Sequence, residues 1–208
     1  MLKIYGRANS INVRKVLWTC EEIGIPFERE DWGRGTRPVS DPEFLAINPF
    51  GVVPAIDDDG FRLGESHAIA RYLAAKHGRS DLLPVDIQKR AVVESWMDWQ
   101  GAEVSPAQRA VVTKHIFNLD LPGGQAAIDA SIKEWPKKMA VIDSRLAETG
   151  AYVTGPDFTL ADVCIGLQVN RWFMVPTGEK PDFPALSAYY DRLNERPGYR
   201  KYGRNGTP

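Results

Sequence analysis

With 208 residues, 26 Lys and Arg against 27 Asp and Glu, and a net charge of -1, the chain offers no electrostatic basis for binding nucleic acid or an anionic membrane. Cys20 and Cys164 stand far apart and form no C-x-x-C, which excludes a disulfide framework and a cysteine-built zinc site. No window approaches the roughly 18 apolar residues of a membrane span, and MLKIYGRANS contains no apolar h-region, so a soluble cytoplasmic protein is expected.

In chain order, Leu2 to Tyr5 reads as a short strand, and Gly6 to Asn9 as a turn feeding a helix that begins near Ser10. Val13, Val16, Leu17, Cys20 and Ile23 recur at helical spacing, and Gly24 is the expected stop. Phe27 to Trp32 is expected as a second strand, parallel to the first because a helix separates them. A loop rich in Gly, Arg, Pro and Ser runs from Gly33 to Ser40, and a short helix follows from Pro42 to Ile47.

Residues 48 to 73, NPFGVVPAIDDDGFRLGESHAIARYL, then read as a hairpin delivered directly into a helix. Val52, Val53, Ala55 and Ile56 form an apolar run, Asp57 to Gly60 supply turn chemistry, and Phe61 to Leu63 alternate as the partner strand. Ser66 is the expected N-cap of the helix carrying Ile69, Tyr72 and Leu73. The order βαβαββα predicts a thioredoxin-like domain with a mixed four-stranded sheet over residues 1–79.

Arg79 to Val85 reads as a linker, with 80–85 as its core, and 86–208 as an all-helical bundle domain. A helix from Ile87 to about Val104 should kink at Pro106 and resume through Val111, Val112, Ile116 and Phe117. Ile128, Ile132, Trp135, Met139, Ile142 and Leu146 form a bundle seam interrupted only by Pro136. FTLAD, with Thr159 as cap and Asp162 reaching back, should start a helix apolar enough to be the buried centre of this half. A further helix follows Pro184 and ends before Pro197, and the final GRNGTP is expected to be loose.

The chemistry-bearing residues cluster in the first half. A cis bond before Pro54 would turn the Val53 backbone outward, free to pair with a bound extended peptide by strand addition. Ser66, at a helix start, suits a ligand carboxylate, and Glu65 suits an ammonium. The alternative is an ordinary hairpin and capped helix. Ser10 likewise reads either as a plain N-cap or as a hydroxyl donor at a ligand. Cys20 falls on the apolar helix stripe and reads as core, and His67, His77 and His115 lack metal-ligand spacing, so no metal is predicted.

The motifs N-P-F-G-V-V-P-A-I and G-E-S-H-A-I-A-R-Y-L together resemble the glutathione-binding half of the cytosolic glutathione transferases. GRANSINVRKV is similar to the serine-type members, in particular a bacterial, theta- or phi-like branch with a serine four residues before an arginine, here Ser10 and Arg14. The resemblance implies glutathione as co-substrate, a cis Pro54, Val53 pairing with the cysteinyl backbone, and Glu65 and Ser66 holding the γ-glutamyl head. It also implies a homodimer joined through the helix from Ser66 and the helix after the linker, with Arg71 as an interface candidate. Ser10 ranks first as donor to the glutathione sulfur and Asn12 second, with Asn9 nearby. Arg34 and Arg37 are candidates for the glycyl carboxylate. Many serine-type relatives carry Gln or Lys where Val52 stands, so one glutathione contact is missing here.

A second substrate is expected between the two halves, with Asn9, Trp32, Trp99 and Arg109 as candidates. The expected function is activation of the glutathione thiol for attack on a small, partly apolar electrophile. The alternatives are a glutathione-dependent isomerase or dehalogenase, and a non-enzymatic glutathione-binding or scaffold module.

Overall fold

A computed structural model describes residues 1–208. β1 (Leu2–Tyr5), α1 (Ile11–Ile23), β2 (Glu28–Glu30), α2 (Pro42–Ile47), β3 (Ala55–Asp58), β4 (Phe61–Gly64) and α3 (Ser66–Lys76) follow one another in the expected order. The sheet order is β2-β1-β3-β4. β1 and β2 are parallel because α1 must carry the chain back between them, whereas β3 runs antiparallel to both β1 and β4. Asp59 and Gly60, with φ of 53° and 94°, make the two-residue turn between β3 and β4, a conformation that matches the right-handed twist of the strands.

The remainder is helical: α4 (Ile87–Trp99), α5 (Ser105–Phe117), α6 (Gly124–Thr149), α7 (Leu160–Met174), α8 (Pro184–Leu193) and α9 (Pro197–Tyr202). Every residue from Leu160 to Trp172 is buried, so α7 is the centre around which the bundle packs. Its start is the expected capping box. The Asp162 carboxylate accepts from the N–H of Thr159 and of Val153, both at 2.9 Å, and from the Tyr189 hydroxyl at 3.0 Å. Burial pushes this carboxyl up to about 6 against the pull of those donors.

Several elements depart from expectation. β2 covers only Glu28–Glu30, because Trp32 leaves the ladder for an isolated bridge to Arg37. Glu65, not Ser66, is the N-cap of α3, and Ser66 is its first helical residue. A π turn over Gln100–Val104, shortly before Pro106, links α4 to α5. Pro106 is the second residue of α5. α6 runs unbroken through Pro136, and Ile132 on its seam is 37% exposed while Trp135, Met139, Ile142 and Leu146 are buried.

The C-terminal segment is held, contrary to expectation. The buried Arg14 guanidinium donates to the carbonyls of Tyr202, Gly203 and Pro208, and Asn170 Nδ2 donates to Thr207 at 3.0 Å. Trp18 of α1, fully buried, packs on Phe158 and Tyr199 with ring centroids 5.5 and 5.0 Å away. A single apolar cluster thus runs from α1 and α3 into the bundle. No helix is long and apolar enough to cross a membrane.

Candidate functional site

Ser10 is the N-cap of α1 by backbone, with φ -77° and ψ 125°, yet its hydroxyl makes no capping hydrogen bond. Its N–H donates to the Arg7 carbonyl at 3.1 Å and its own carbonyl accepts from Arg14 N–H at 2.9 Å, so the residue is fixed by backbone alone. The residue is 9% exposed, and its hydroxyl has no protein partner at the positive end of a helix. Asn9 and Asn12 flank it, both exposed and with free amides. The turn before them passes so close to its neighbours that a Cβ at Gly6 would stand 2.5 Å from Val13 Cγ2 and 3.0 Å from Val53 Cβ. Glycine at that position lets the Ser10 turn lie directly against Val53.

The Val53-Pro54 peptide bond is cis, and the Val53 N–H and C=O take no partner within the chain. The segment is held from behind by buried Asn48, whose Nδ2 donates to the Val52 carbonyl at 2.7 Å and whose Oδ1 accepts from Phe50 N–H at 3.2 Å. β3 starts one residue after the proline, with Ala55 opposite Gly64. That register brings Glu65 to the same edge. Glu65 adopts φ 66° and ψ 114°, a strained conformation for a residue with a side chain, and such strain collects where a ligand is held. Its carboxylate is exposed and unpaired, and the buried Ser66 next to it has a hydroxyl with no protein partner. Ser10, Val53, Glu65 and Ser66 therefore present unsatisfied polar groups in one region of the first half.

Behind this edge lies a network with no counterpart in the sequence reading. Lys15, buried on α1, donates to Gln100 Oε1 at 2.6 Å and stands 2.9 Å from His67 Nε2. Gln100 Nε2 in turn donates to Ser105 Oγ at 2.6 Å. Burial brings the Lys15 ammonium down to about 8, and burial with the adjacent Lys15 charge brings His67 to about 3. The imidazole is neutral and accepts from the ammonium. α1, α3 and the π turn are thus tied together by side chains that periodicity marks as surface; only their clustering after folding reveals them.

Other predicted site residues are scattered. Arg37 stacks on Trp32, 3.7 Å from the ring centroid, and pairs with Glu43, so its charge is already matched. Arg34 has no ion pair and lies 4.0 Å from the centroid of Phe117. Trp32 is sealed in a small core with Tyr5, Phe44 and Ala55. Trp99 is half-buried and packs edge-on against Trp96 at 5.3 Å. Arg109 lines a groove of about 450 Å³ between α5 and α6 with Leu121 and Ala130. Arg109 is thus not brought to the Ser10 region, whereas Trp32 adjoins it through its backbone, its carbonyl accepting from Arg7 N–H at 3.1 Å. A cavity of about 890 Å³, between the linker, α4 and the loop before α7, also lies apart from it. No three His, Cys, Asp or Glu side chains come together as a metal site would need.

Residues 9–76 match the glutathione S-transferase N-terminal domain model and residues 125–192 the C-terminal domain model. The chain is 39% identical over 203 residues to glutathione S-transferase GstB of Escherichia coli K12, covering 97% of each. It is 34% identical over 164 residues to glutathione S-transferase 4 of Zea mays, covering 78% of this chain and 73% of that one. Among solved structures, the glutathione-bound theta class glutathione S-transferase from Xanthomonas axonopodis pv. citri superposes with a TM-score of 0.88 at 34% identity, covering 97% and 96% of the two chains. Glutathione transferase F7 from Populus trichocarpa gives 0.87 at 26% identity over the full length of both. The matched regions contain the Ser10 turn, the cis-proline edge and the Glu65-Ser66 pair, and the chain belongs to the glutathione S-transferase family.

Proposed function

We propose that the protein binds glutathione along the Val53 edge and holds its thiol as a thiolate for attack on a small, partly apolar electrophile. The free Val53 N–H and C=O pair with the cysteinyl backbone, Glu65 takes the γ-glutamyl ammonium, and Ser66 takes the adjacent carboxylate. Arg34 is preferred to Arg37 for the glycyl carboxylate, because Arg37 is already neutralised by Glu43. Val52, 47% exposed and apolar, adds no polar contact.

The observation that carries this reading is the unengaged Ser10 hydroxyl at the N-terminus of α1. A thiol with a pKa of about 8.5 is only a few per cent ionised at neutral pH, and lowering it by about two units requires roughly 2.7 kcal/mol of preferential thiolate stabilisation. One hydrogen bond to a charged group supplies roughly 1.5–3 kcal/mol and the helix end roughly 0.3–1 kcal/mol. Ser10 needs only to donate. Asn12, with its free amide, ranks second, and Asn9 and Trp99 are kept as second-substrate candidates.

The division at residues 1–79, 80–85 and 86–208 follows the change from mixed sheet to helices. A cytoplasmic homodimer through α3 and α4 completes the reading. Within the subunit Arg71 pairs across these helices with Asp98 and, at 3.7 Å, with Glu94.

The deciding experiment is an ultraviolet titration of bound glutathione thiolate in wild type and Ser10→Ala. Wild type should titrate at about pH 6 to 7 and the variant near about 8.5, with turnover lowered roughly 10- to 100-fold and glutathione binding nearly intact. Absence of thiolate below about pH 8 at saturating glutathione would overturn the reading.

A further inference from the structure

A cation from the first half of the chain rests on a ring from the second. Arg34 lies at the tip of a turn in which the Gly33 carbonyl accepts from the N–H and the hydroxyl of Thr36, both at 2.9 Å, and Gly35 takes φ 80°. A glycine at positive φ in the third position suits such a turn, and the Arg34 side chain it presents is exposed. The turn adjoins the Val53 edge. Gly33 is buried, and a Cβ placed on it would stand 3.5 Å from Val53 Cγ2 and 3.6 Å from Val53 Cγ1. Arg34 therefore follows directly on a residue packed against the strand edge proposed to hold glutathione.

From the other side, α5 ends at Phe117. Asn118 turns left-handed at φ 48°, and the N–H groups of Asn118 and Leu119 donate to the Lys114 and Thr113 carbonyls at 3.0 and 3.3 Å. Lys114 closes the same turn on Asp120 at 2.8 Å. Phe117, half-buried against the bundle core, is held by this ending, and its ring centroid lies 4.0 Å from Arg34 Cζ.

The ring takes the guanidinium by its face. Arg34 makes no ion pair or side-chain hydrogen bond within the chain, so the N–H donors along its edge are free. Arg37 shows the alternative: it also stacks on a ring, that of Trp32, but its edge is taken by Glu43. A guanidinium already held flat on a ring loses less freedom when a carboxylate enters its fork.

We propose that Phe117 is a positioning residue for glutathione, holding Arg34 so that its N–H edge meets the glycyl carboxylate and making the end of α5 part of the glutathione site. This rests on the assignment of Arg34 above.

Glutathione and its glycyl monoethyl ester, which lacks that one negative charge, provide the test. The readout is the ratio of the ester Kd to the glutathione Kd, by isothermal titration calorimetry, in wild type, Arg34→Met, Phe117→Leu and the double variant. Wild type should discriminate against the ester. Arg34→Met should lower the ratio roughly tenfold or more, as loss of a charge-assisted contact requires, and Phe117→Leu roughly two- to fivefold, the worth of an exposed cation–π contact. Phe117→Tyr keeps the aromatic face and should retain the wild-type ratio. In the Arg34→Met background, Phe117→Leu should lower the ratio no further, because the ring has nothing left to hold. Without any substitution, saturating glutathione should slow hydrogen exchange over 113–119 more than the saturating ester does; equal protection would overturn the proposal. A merely loosened α5 would raise both Kd values together. An unchanged ratio in Phe117→Leu beside a lowered one in Arg34→Met would therefore overturn the role of Phe117 and leave Arg34 on the carboxylate. A ratio unmoved by Arg34→Met would remove the Arg34 assignment and this proposal with it, while glutathione binding stood. Absence of glutathione binding to wild type would remove the transferase reading as well.

Discussion

A serine hydroxyl that caps a helix is ordinarily occupied by the backbone N–H groups of the first turn. At Ser10 the backbone takes the cap geometry without that bond, and the hydroxyl stays available at the point where the helix field favours a negative charge. Glu65 is the complementary case: its backbone is held at a positive φ and its carboxylate has no partner, which leaves it free for the proposed contact with a ligand ammonium. Glu65→Ala should raise the glutathione Kd roughly 10- to 100-fold in isothermal titration calorimetry, as removal of one charge-assisted bond implies, with circular dichroism unaltered. An unaltered Kd would remove Glu65 from the head-group site. Pro54 is a position where the resemblance and the observed geometry coincide, its peptide bond being cis. Lys15 and His67 are the opposite, since nothing about a lysine on a helix announces that neighbouring elements will enclose it.

Among the elements, α1 does the most. One end supplies Ser10, its middle carries Lys15 to the π turn, and its buried face packs on the sheet and on α7. At the π turn that precedes Pro106, Gln100 accepts from Lys15 and reaches Ser105. This arrangement has a pH signature. His67 sits at about 3 in the folded protein against an ordinary value of 6.5, so the unfolded chain holds the extra proton in that interval. The stability it contributes is complete above 6.5 and is lost as pH falls toward 3. His67→Gln, which can still accept from Lys15, should therefore lose less stability than wild type between pH 7.5 and 4.5 in guanidinium unfolding. Equal losses in the two proteins would place the acid sensitivity elsewhere.

At the scale of the whole molecule, the two halves are joined by burial and by the Arg14 fork. Trp18 enters the bundle core, and Arg14 gathers the last residues of the chain against α1. Arg14→Met should detach the segment after Tyr202, with faster hydrogen exchange over 203–208 and a loss of about 3 kcal/mol in urea unfolding. Retained protection in that segment would show that Asn170 and local packing suffice to hold it.

The sequence by itself determined the order βαβαββα, the change to helices after the linker, and the capping box at Thr159 and Asp162. Each of these is written in periodicity, turn chemistry or a short motif, signals that act over a few neighbouring residues. The tertiary structure alone decided the π turn before Pro106, the anchored C-terminus and the buried Lys15. Those depend on which side chains meet across elements distant in sequence. An arginine or lysine carries the same local signal whether its charge ends in water, on a carbonyl or sealed between helices.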